Sequence, residues 1–401
     1  MDKLTRILLF GLILIIPVCM LTGAGAIFFK VAFIFLLIIM VFNIAHLTIS
    51  KGFEDLEVRR NIKTNKIFSG EEIEYEIIIE NKKKFPIIFL LIKEALPKEF
   101  GFKDNTKVQE DCDSIRMVHK CAIYGYERIK RKNTVRIDKR GTYIFKDIEE
   151  NIGDFFGLID KSQKVQDPHE ILVYPTIKDL SSFNIKSMNI IGDNVVRRWI
   201  HHDPLYIKSI REYCGRDRMK DIHWKSSLKM NKLMSKEYDY TSDKEIIIIA
   251  NIQSHKEVFM NISEEVVERT ISVSISLADK CLKEGVAVGM WTNASTKSLA
   301  AGYIEEVPSS LNSMEKILEL GARMDYVPLG KFNKLLMRKI KYFNTNAIYV
   351  VVTPYLDDEC IFILNKLSRR GVNLKIVDVS NDLNLPSIQG IEKLECSQEV
   401  K

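Results

Sequence analysis

What most limits the folds open to this chain is a change of hydrophobic period past its middle. Over residues 72–80, Ile73, Tyr75, Ile77 and Ile79 alternate with Glu72, Glu74, Glu76 and Glu80, and Ile78 breaks the pattern. A period of two with one wet face belongs to a half-buried strand. Residues 87–96, 115–124 and 134–148 are further short strand candidates, and Lys139-Arg140-Gly141 marks a hairpin turn. Short strands at this spacing, with no long helix among them, predict an antiparallel β-sandwich of immunoglobulin-like size.

From Glu245 the pattern is different. Residues 246–251 form a largely apolar run suited to a strand buried on both faces. Residues 263–283 then show helical spacing, with Val266, Val267, Thr270, Ile271, Ser274, Leu277 and Ala278 along one side. Strands at 286–291, 347–352 and 374–379 alternate with helices at 311–324, 332–343 and 356–370. Gly285 and Gly371 stand just past helix ends, where a left-handed cap favours glycine. Alternating strand and helix predicts a parallel sheet with helices on both faces.

The first fifty residues obey neither period. Residues 7–29 carry no charge, and after Lys30 residues 31–50 carry none apart from His46 when it is protonated. About 20 apolar residues cross a bilayer core as a helix. With Thr22-Gly23-Ala24-Gly25 as the breaker, the run predicts two transmembrane helices, at 4–21 and 26–49. Lys3 and Arg6 precede the first span, and Lys51, Arg59, Arg60, Lys63 and Lys66 follow the second. The positive-inside rule then predicts a two-pass protein of the cell membrane whose soluble domains face the cytoplasm. A cleaved signal peptide ending near Gly23-Ala24-Gly25-Ala26 is the rival reading, and it leaves the body in the same compartment. The seven cysteines are scattered, with no Cys-x-x-Cys pair, so neither a disulfide framework nor a zinc site is indicated.

The plan is therefore a transmembrane helical hairpin over residues 1–50 and a β-sandwich over 51–180. A linker over 181–244, an α/β domain over 245–395 and a tail over 396–401 complete it.

The linker holds the densest chemistry. Residues 197–244 contain twelve Lys and Arg against seven Asp and Glu, nearly all of the chain's formal charge of +6. Within residues 211–238, Asp217 is placed to cap a short helix beginning near Arg218. His223 and Ser227 lie four apart and share one helical face, and Trp224 and Leu228 share another that should be buried. Arg211 and Glu212 are candidate ion-pair partners for the charges that follow, and Tyr213, Asp221, Ile222 and Lys225 complete the group. The expected role is a Trp-anchored, ion-paired clamp between domains and a surface for a partner. The rival reading is a hydrolase with Ser227 as nucleophile, His223 as base and Asp217 as orienting carboxylate, though nothing supplies an oxyanion hole. Aromatic residues do not interleave the basic stretch as in a nucleic-acid platform, so no nucleic-acid partner is expected. No Gly-x-x-x-x-Gly-Lys-[Ser/Thr] loop is present, so nucleotide hydrolysis is not expected either.

Several of these stretches fall into the order of a known family. Arg211-Glu212-Tyr213, Asp217, Ile222-His223-Trp224-Lys225 and Ser227 follow Arg140-Gly141-Thr142-Tyr143, Asp154-Phe155-Phe156-Gly157-Leu158 and Val173-Tyr174-Pro175. In that order the chain resembles the bacterial domain-of-unknown-function 58 family. It departs from the family's pattern at Phe155, where proline is usual, at Arg216, where glycine is usual, and at Lys220, where arginine is common. The resemblance implies two membrane helices, a β-rich domain, and an α/β domain like that of von Willebrand factor type A. Domains of that type hold a divalent ion on Asp-x-Ser-x-Ser and on a later Thr and Asp. The matching positions here are Asn251, Gln253 and His255, then Thr353 and Pro354. With the anionic ligands replaced, the site is expected to be degenerate, with no functional metal and no cofactor. Asp357 and Asp358 are expected instead to favour the N-terminus of the following helix. The resemblance also implies a partner, a MoxR-type ATPase of the AAA class. The expected function is that of a non-enzymatic, membrane-anchored and cytoplasm-facing adaptor or scaffold. It would serve the assembly or maturation of membrane or envelope components, in contact with the lipid bilayer and other membrane proteins. The alternatives are the Ser227/His223 hydrolase and a purely structural membrane anchor.

Overall fold

The computed structural model describes residues 30, 31, 33–39, 51–102, 108–110, 114–153, 160–179, 202–215, 217–240, 245–257, 262–299 and 304–396. The helix expected at 4–21 and the family element 154–158 lie outside these residues. Of the helix expected at 26–49, residues 30, 31 and 33–39 are helical. No helix among the described residues is long and apolar enough to cross a membrane. The two-helix membrane anchor, and with it the two-pass, cytoplasm-facing location in the cell membrane, is corrected on this ground. The described chain is dominated by strands. It divides into two compact units, Met1–Tyr174 and Pro175–Lys401.

The first unit is antiparallel except for one short parallel pairing. Its strands are β1 (Leu56–Ile62), β2 (Lys66–Phe68), β3 (Glu72–Asn81), β4 (Ile87–Leu96), β5 (Phe100–Phe102), β6 (Val108–Glu110), β7 (Ile115–Ile123), β8 (Arg128–Ile137), β9 (Gly141–Phe145), β10 (Ile148–Gly153), β11 (Asp160–Val165) and β12 (His169–Tyr174). They form sheets ordered β1-β3-β8-β5, β11-β10-β4-β7-β6 and β2-β12-β9. The alternation in β3 buries Ile73, Tyr75, Ile77 and Ile79, and Ile78 is buried as well. On the outer face of β3, Glu72, Glu76 and Glu80 stand opposite Arg136, Lys132 and Arg128 of β8. Opposite charges across a pair support the register.

One inward position of β1 is Arg60, which the sequence reading had taken as a flanking cation. Its Nε lies 2.6 Å from Glu94, with both side chains fully buried. Arg60 also donates to the carbonyls of Lys146 and Asp167, and the Tyr75 hydroxyl donates to Glu94 at 3.2 Å. A buried charge persists only when paired and hydrogen-bonded in this way.

The second unit begins with an antiparallel ribbon of β13 (His202–Glu212) and β14 (Met234–Tyr240), joined through a 3₁₀ turn, Met219–Asp221, and the helix α1 (Trp224–Met230). The described part of the region expected to be a linker, residues 202–215 and 217–240, is therefore structured. Then come β15 (Glu245–Ala250), α2 (Glu264–Lys283), β16 (Ala287–Thr292), β17 (Ala294–Thr296), β18 (Glu306–Ser310), α3 (Met314–Arg323), β19 (Met324–Pro328), α4 (Phe332–Lys339), β20 (Ala347–Thr353), α5 (Asp358–Arg369), β21 (Asn373–Asp378) and β22 (Glu392–Glu395). The main sheet is ordered β18-β16-β15-β20-β21-β22, parallel except for β18. Ile247 and Ile249 of β15 share a core with Phe332, Leu335 and Leu336 of α4 and Ile363 and Leu364 of α5. Ile246 and Ile248 point to the opposite face of the sheet, where α2 packs on β15 and on α3. Gly285 and Gly371 take φ of +77° and +84° beyond α2 and α5. Asp378, fully buried at the end of β21, accepts from the Ser380 and Leu385 backbone N–H groups and from Lys393, which fixes the chain leading to β22.

Among the described cysteines, Cys281, Cys360 and Cys396 are buried, Cys121 is half-buried and Cys214 is exposed. Burial pushes the Cys281 thiol up to about 12 and that of Cys396 up to about 11, and it raises that of Cys360 further.

Candidate functional site

Two places collect the residues that the sequence singled out. The first is the crevice where strand order reverses. β16 lies on one side of β15 and β20 on the other, so the chain leaves β15 and β20 toward opposite flanks. In open α/β sheets that point is the usual ligand crevice. Here it is closed by side chains. Asn251 is fully buried, and its Nδ2 donates to Thr353 Oγ1 at 2.8 Å and to the Tyr355 carbonyl at 3.1 Å. Its Oδ1 accepts from the Gln253 N–H at 3.0 Å and from Asn293 Nδ2 at 2.8 Å. That meets the full hydrogen-bonding capacity of an amide. Asn293 Oδ1 accepts from the Ile252 N–H at 2.9 Å, and Thr353 Oγ1 donates to the Tyr355 carbonyl at 2.7 Å. Gln253 donates to the His255 carbonyl and accepts from the Phe332 N–H, both at 2.9 Å. His255 is exposed and stacks on Tyr355, with ring centroids 6.4 Å apart. Pro354 is buried and brings no ligand atom. Asp357 caps α5, accepting from the Cys360 N–H at 2.7 Å.

These residues do not fit a divalent ion. A hard cation takes charged or carbonyl oxygens. Asn251 instead turns N–H groups toward Thr353, and the oxygens present already accept from neighbouring donors. No cluster of three or more His, Cys, Asp and Glu suited to a metal occurs among the described residues.

The second place is the segment 211–235. Arg211 forms a two-pronged pair with Asp217, at 2.7 and 2.6 Å. The same carboxylate accepts from the Cys214 N–H at 2.8 Å. Arg211, and then that N–H, hold the Asp217 carboxyl below its ordinary range. Asp217 thus closes the turn after β13 and does not cap a helix, because Arg218 occupies the cap position of the 3₁₀ turn with no side-chain bond. The Tyr213 hydroxyl donates to the Asp217 carbonyl, and Glu212 pairs with Lys232 at 3.3 Å. Ile222 is buried and bridges to Ser235, and the His223 N–H donates to the Met234 carbonyl at 2.8 Å.

His223 is the cap of α1, its Nδ1 accepting from the Ser226 N–H at 3.1 Å. Ser227 is 8% exposed; its Oγ donates to the His223 carbonyl at 3.1 Å and accepts from the Met234 N–H at 2.9 Å. The three residues of the hydrolase reading are each engaged by the backbone or by Arg211, and their bonds do not join them into a relay. Asn231 ends α1 in the left-handed region at φ 53°.

The expected burial of Trp224 and Leu228 is corrected. Trp224 is 63% exposed and Leu228 82%. α1 is seven residues long and turns only Ser227 inward, so the Trp224 stripe faces outward. Lys225, Lys229, Arg218 and Lys220 are exposed as well. The segment lies wholly within the second unit.

With this geometry in hand, comparison with known proteins adds little. No family model matches the chain. It is 22% identical over 251 residues to the uncharacterized protein YeaD of Bacillus subtilis, covering 61% of this chain and 57% of that one. The chain thus spans little more than half the length of that relative. Among solved structures, a non-cellulosomal cohesin from Archaeoglobus fulgidus is 15% identical over 29% of this chain and 91% of its own, with a TM-score of 0.21. The sporulation control protein of Bacillus subtilis is 17% identical over 36% of this chain and 54% of its own, with a TM-score of 0.19. Likenesses this low carry no argument about function. The von Willebrand factor A-like label, expected from resemblance alone, finds no support in these comparisons and is withdrawn.

Sequence reading missed Asn293, which donates to Asn251 and holds the Ile252 N–H. The signal was available: Asn293 directly follows the buried run Ala287–Thr292, just as Asn251 follows Glu245–Ala250.

Proposed function

We propose that this chain is a protein-binding adaptor that works with a MoxR-type AAA ATPase, and that the segment 211–235 is its contact surface. One observation carries the reading. The segment's polar groups hold the segment together, while Trp224 and Leu228 remain in water side by side. Scattered exposed apolar residues are ordinary. An exposed tryptophan on a hydrogen-bonded frame is an anchor of the kind that dominates interfaces, and Leu228, one helical turn on, extends its apolar surface. The ATPase class comes from the resemblance to the domain-of-unknown-function 58 family, which also suggests envelope components as clients.

The test is capture of the tagged full chain from its native cell, with bound proteins identified by mass spectrometry. A MoxR-type ATPase should co-purify, and Trp224→Asp together with Leu228→Asp should abolish its capture. An ATPase retained by the double variant, or none captured by the unaltered chain, would sink the proposal.

A further inference from the structure

Resting on the adaptor reading, we infer that the surface of α1 takes an acidic amphipathic segment of a partner protein, apolar side chains meeting Trp224 and Leu228 and carboxylates meeting Lys225 and Lys229. On a helix of 3.6 residues per turn, Trp224 and Leu228 make one stripe, and Lys225 and Lys229 make the stripe beside it. Two adjacent stripes, one apolar and one cationic, require a partner with the complementary pair.

The charges left over point the same way. Glu212 is engaged by Lys232 and Asp217 by Arg211. Arg218, Lys220, Lys225 and Lys229 form no ion pair among the described residues, and within residues 218–229 they face one carboxylate, Asp221. Over residues 218–229 the charge left unpaired is therefore positive, and an approaching acidic segment gains both steering and specificity.

Two other anionic surfaces fit less well. A helix that lies in a membrane interface presents a broad apolar face, whereas α1 has seven residues and one apolar stripe of two. Single-stranded nucleic acid is held by a series of aromatic platforms, and this face offers only Trp224.

The experiment uses the full chain and three fluorescent synthetic peptides. One is an amphipathic peptide with leucines on one face and glutamates beside them. The second replaces every glutamate by lysine, and the third replaces every leucine by serine. Anisotropy titrations at low and high salt should show the acidic amphipathic peptide binding at least tenfold tighter than either of the others. Salt should weaken that binding, because exposed charges are screened. Lys225→Glu with Lys229→Glu should weaken the acidic peptide at least tenfold and strengthen the lysine peptide. Leu228→Ser should weaken the acidic peptide at both salt concentrations. Equal binding of acidic and lysine peptides, or indifference to the charge reversal, would overturn the inference. So would tighter binding, through Trp224, of phosphatidylglycerol vesicles or of an oligonucleotide.

Failure here is separable from failure of the adaptor proposal. If the ATPase is captured by the Lys225→Glu, Lys229→Glu variant but lost with Trp224→Asp, the adaptor stands and the acidic partner falls. If no ATPase is captured while the reciprocal charge swap holds with the peptides, the acidic segment stands and the identity of the partner falls.

Discussion

At the crevice between β15 and β20, each amide atom of Asn251 is bonded to a neighbour; on α1, Trp224 and Leu228 are largely exposed to solvent. The crevice has the address of a ligand site, but Asn251 at its centre has no bonding capacity left. The ribbon with α1 has no such address, and its polar groups build a frame that leaves apolar surface over. Position in a fold therefore says where a site would be cheap to build. Unsatisfied surface says where binding free energy remains to be gained. In this molecule the two criteria select different places.

The sharpest way to break the comparison is at Asn251. Asn251→Ala removes two donors and one doubly used acceptor from a fully buried site. Each orphaned buried group costs about 1–3 kcal/mol, so the second unit should lose on the order of 3 kcal/mol or more by the same reckoning. Urea unfolding followed by the fluorescence of Trp291, buried in β16, measures it. A loss below about 1 kcal/mol would mean the network is not closed. Calorimetric titration with Mg²⁺ or Mn²⁺ should reveal no site tighter than about 1 mM, roughly −4 kcal/mol. Micromolar binding abolished by Asn251→Ala would reverse the assignment of the crevice.

Next in size is Ser227. Its hydroxyl joins the first turn of α1 to the start of β14, so Ser227→Ala leaves the N–H of the half-buried Met234 without its acceptor. The cost should be about 1–2 kcal/mol, read as faster hydrogen exchange of the α1 and β14 amides. Trp224→Ala should change stability by less than about 0.5 kcal/mol, as exposed substitutions do, while partner capture falls at least tenfold. A larger stability loss for Trp224→Ala than for Ser227→Ala would restore the buried-anchor reading.

The smallest effect is with pH. Arg211 and the Cys214 N–H lower the Asp217 carboxyl below its ordinary range, so the ionised form is favoured in the folded chain. Their contribution is fully present above the ordinary aspartate value, near ~3.9, and is lost as pH falls through the lowered value. Trp224 fluorescence should stay flat down to that range and shift below it. Asp217→Asn should move the signal at neutral pH and remove the acid step.

Much of this was legible in the sequence, and the misses share a cause. The alternation in β3 and the apolar runs at β15, β16 and β20 report burial that each segment achieves along its own length. Arg60 was counted with the cations flanking the apolar run, whereas Glu94, 34 positions later, makes it an inward residue of β1. β13 and β14 were read as linker because a ribbon with charge on both faces shows no period. Trp224 was placed inside because a two-stripe helix normally buries its apolar stripe, and the sequence does not say that α1 turns Ser227 inward instead. At the crevice, the replacement of Asp by Asn251 was visible, but the bond from Asn293, 42 residues on, was not. The two membrane helices were inferred from hydropathy, which measures only the tolerance of a segment for lipid. No helix among the described residues is long and apolar enough to make a span.

The distribution of the cysteines has a practical consequence. Alkylating reagents attack the thiolate, and burial keeps Cys281, Cys360 and Cys396 protonated and shielded at neutral pH. Cys214 is exposed, its N–H on the Asp217 carboxylate, in the turn that closes the ribbon. Among the described cysteines, a maleimide dye should therefore load Cys214 first, with no engineered residue. It would set a fluorophore beside the Arg211–Asp217 pair, where arrival of a partner on the neighbouring helix becomes a change in colour or lifetime.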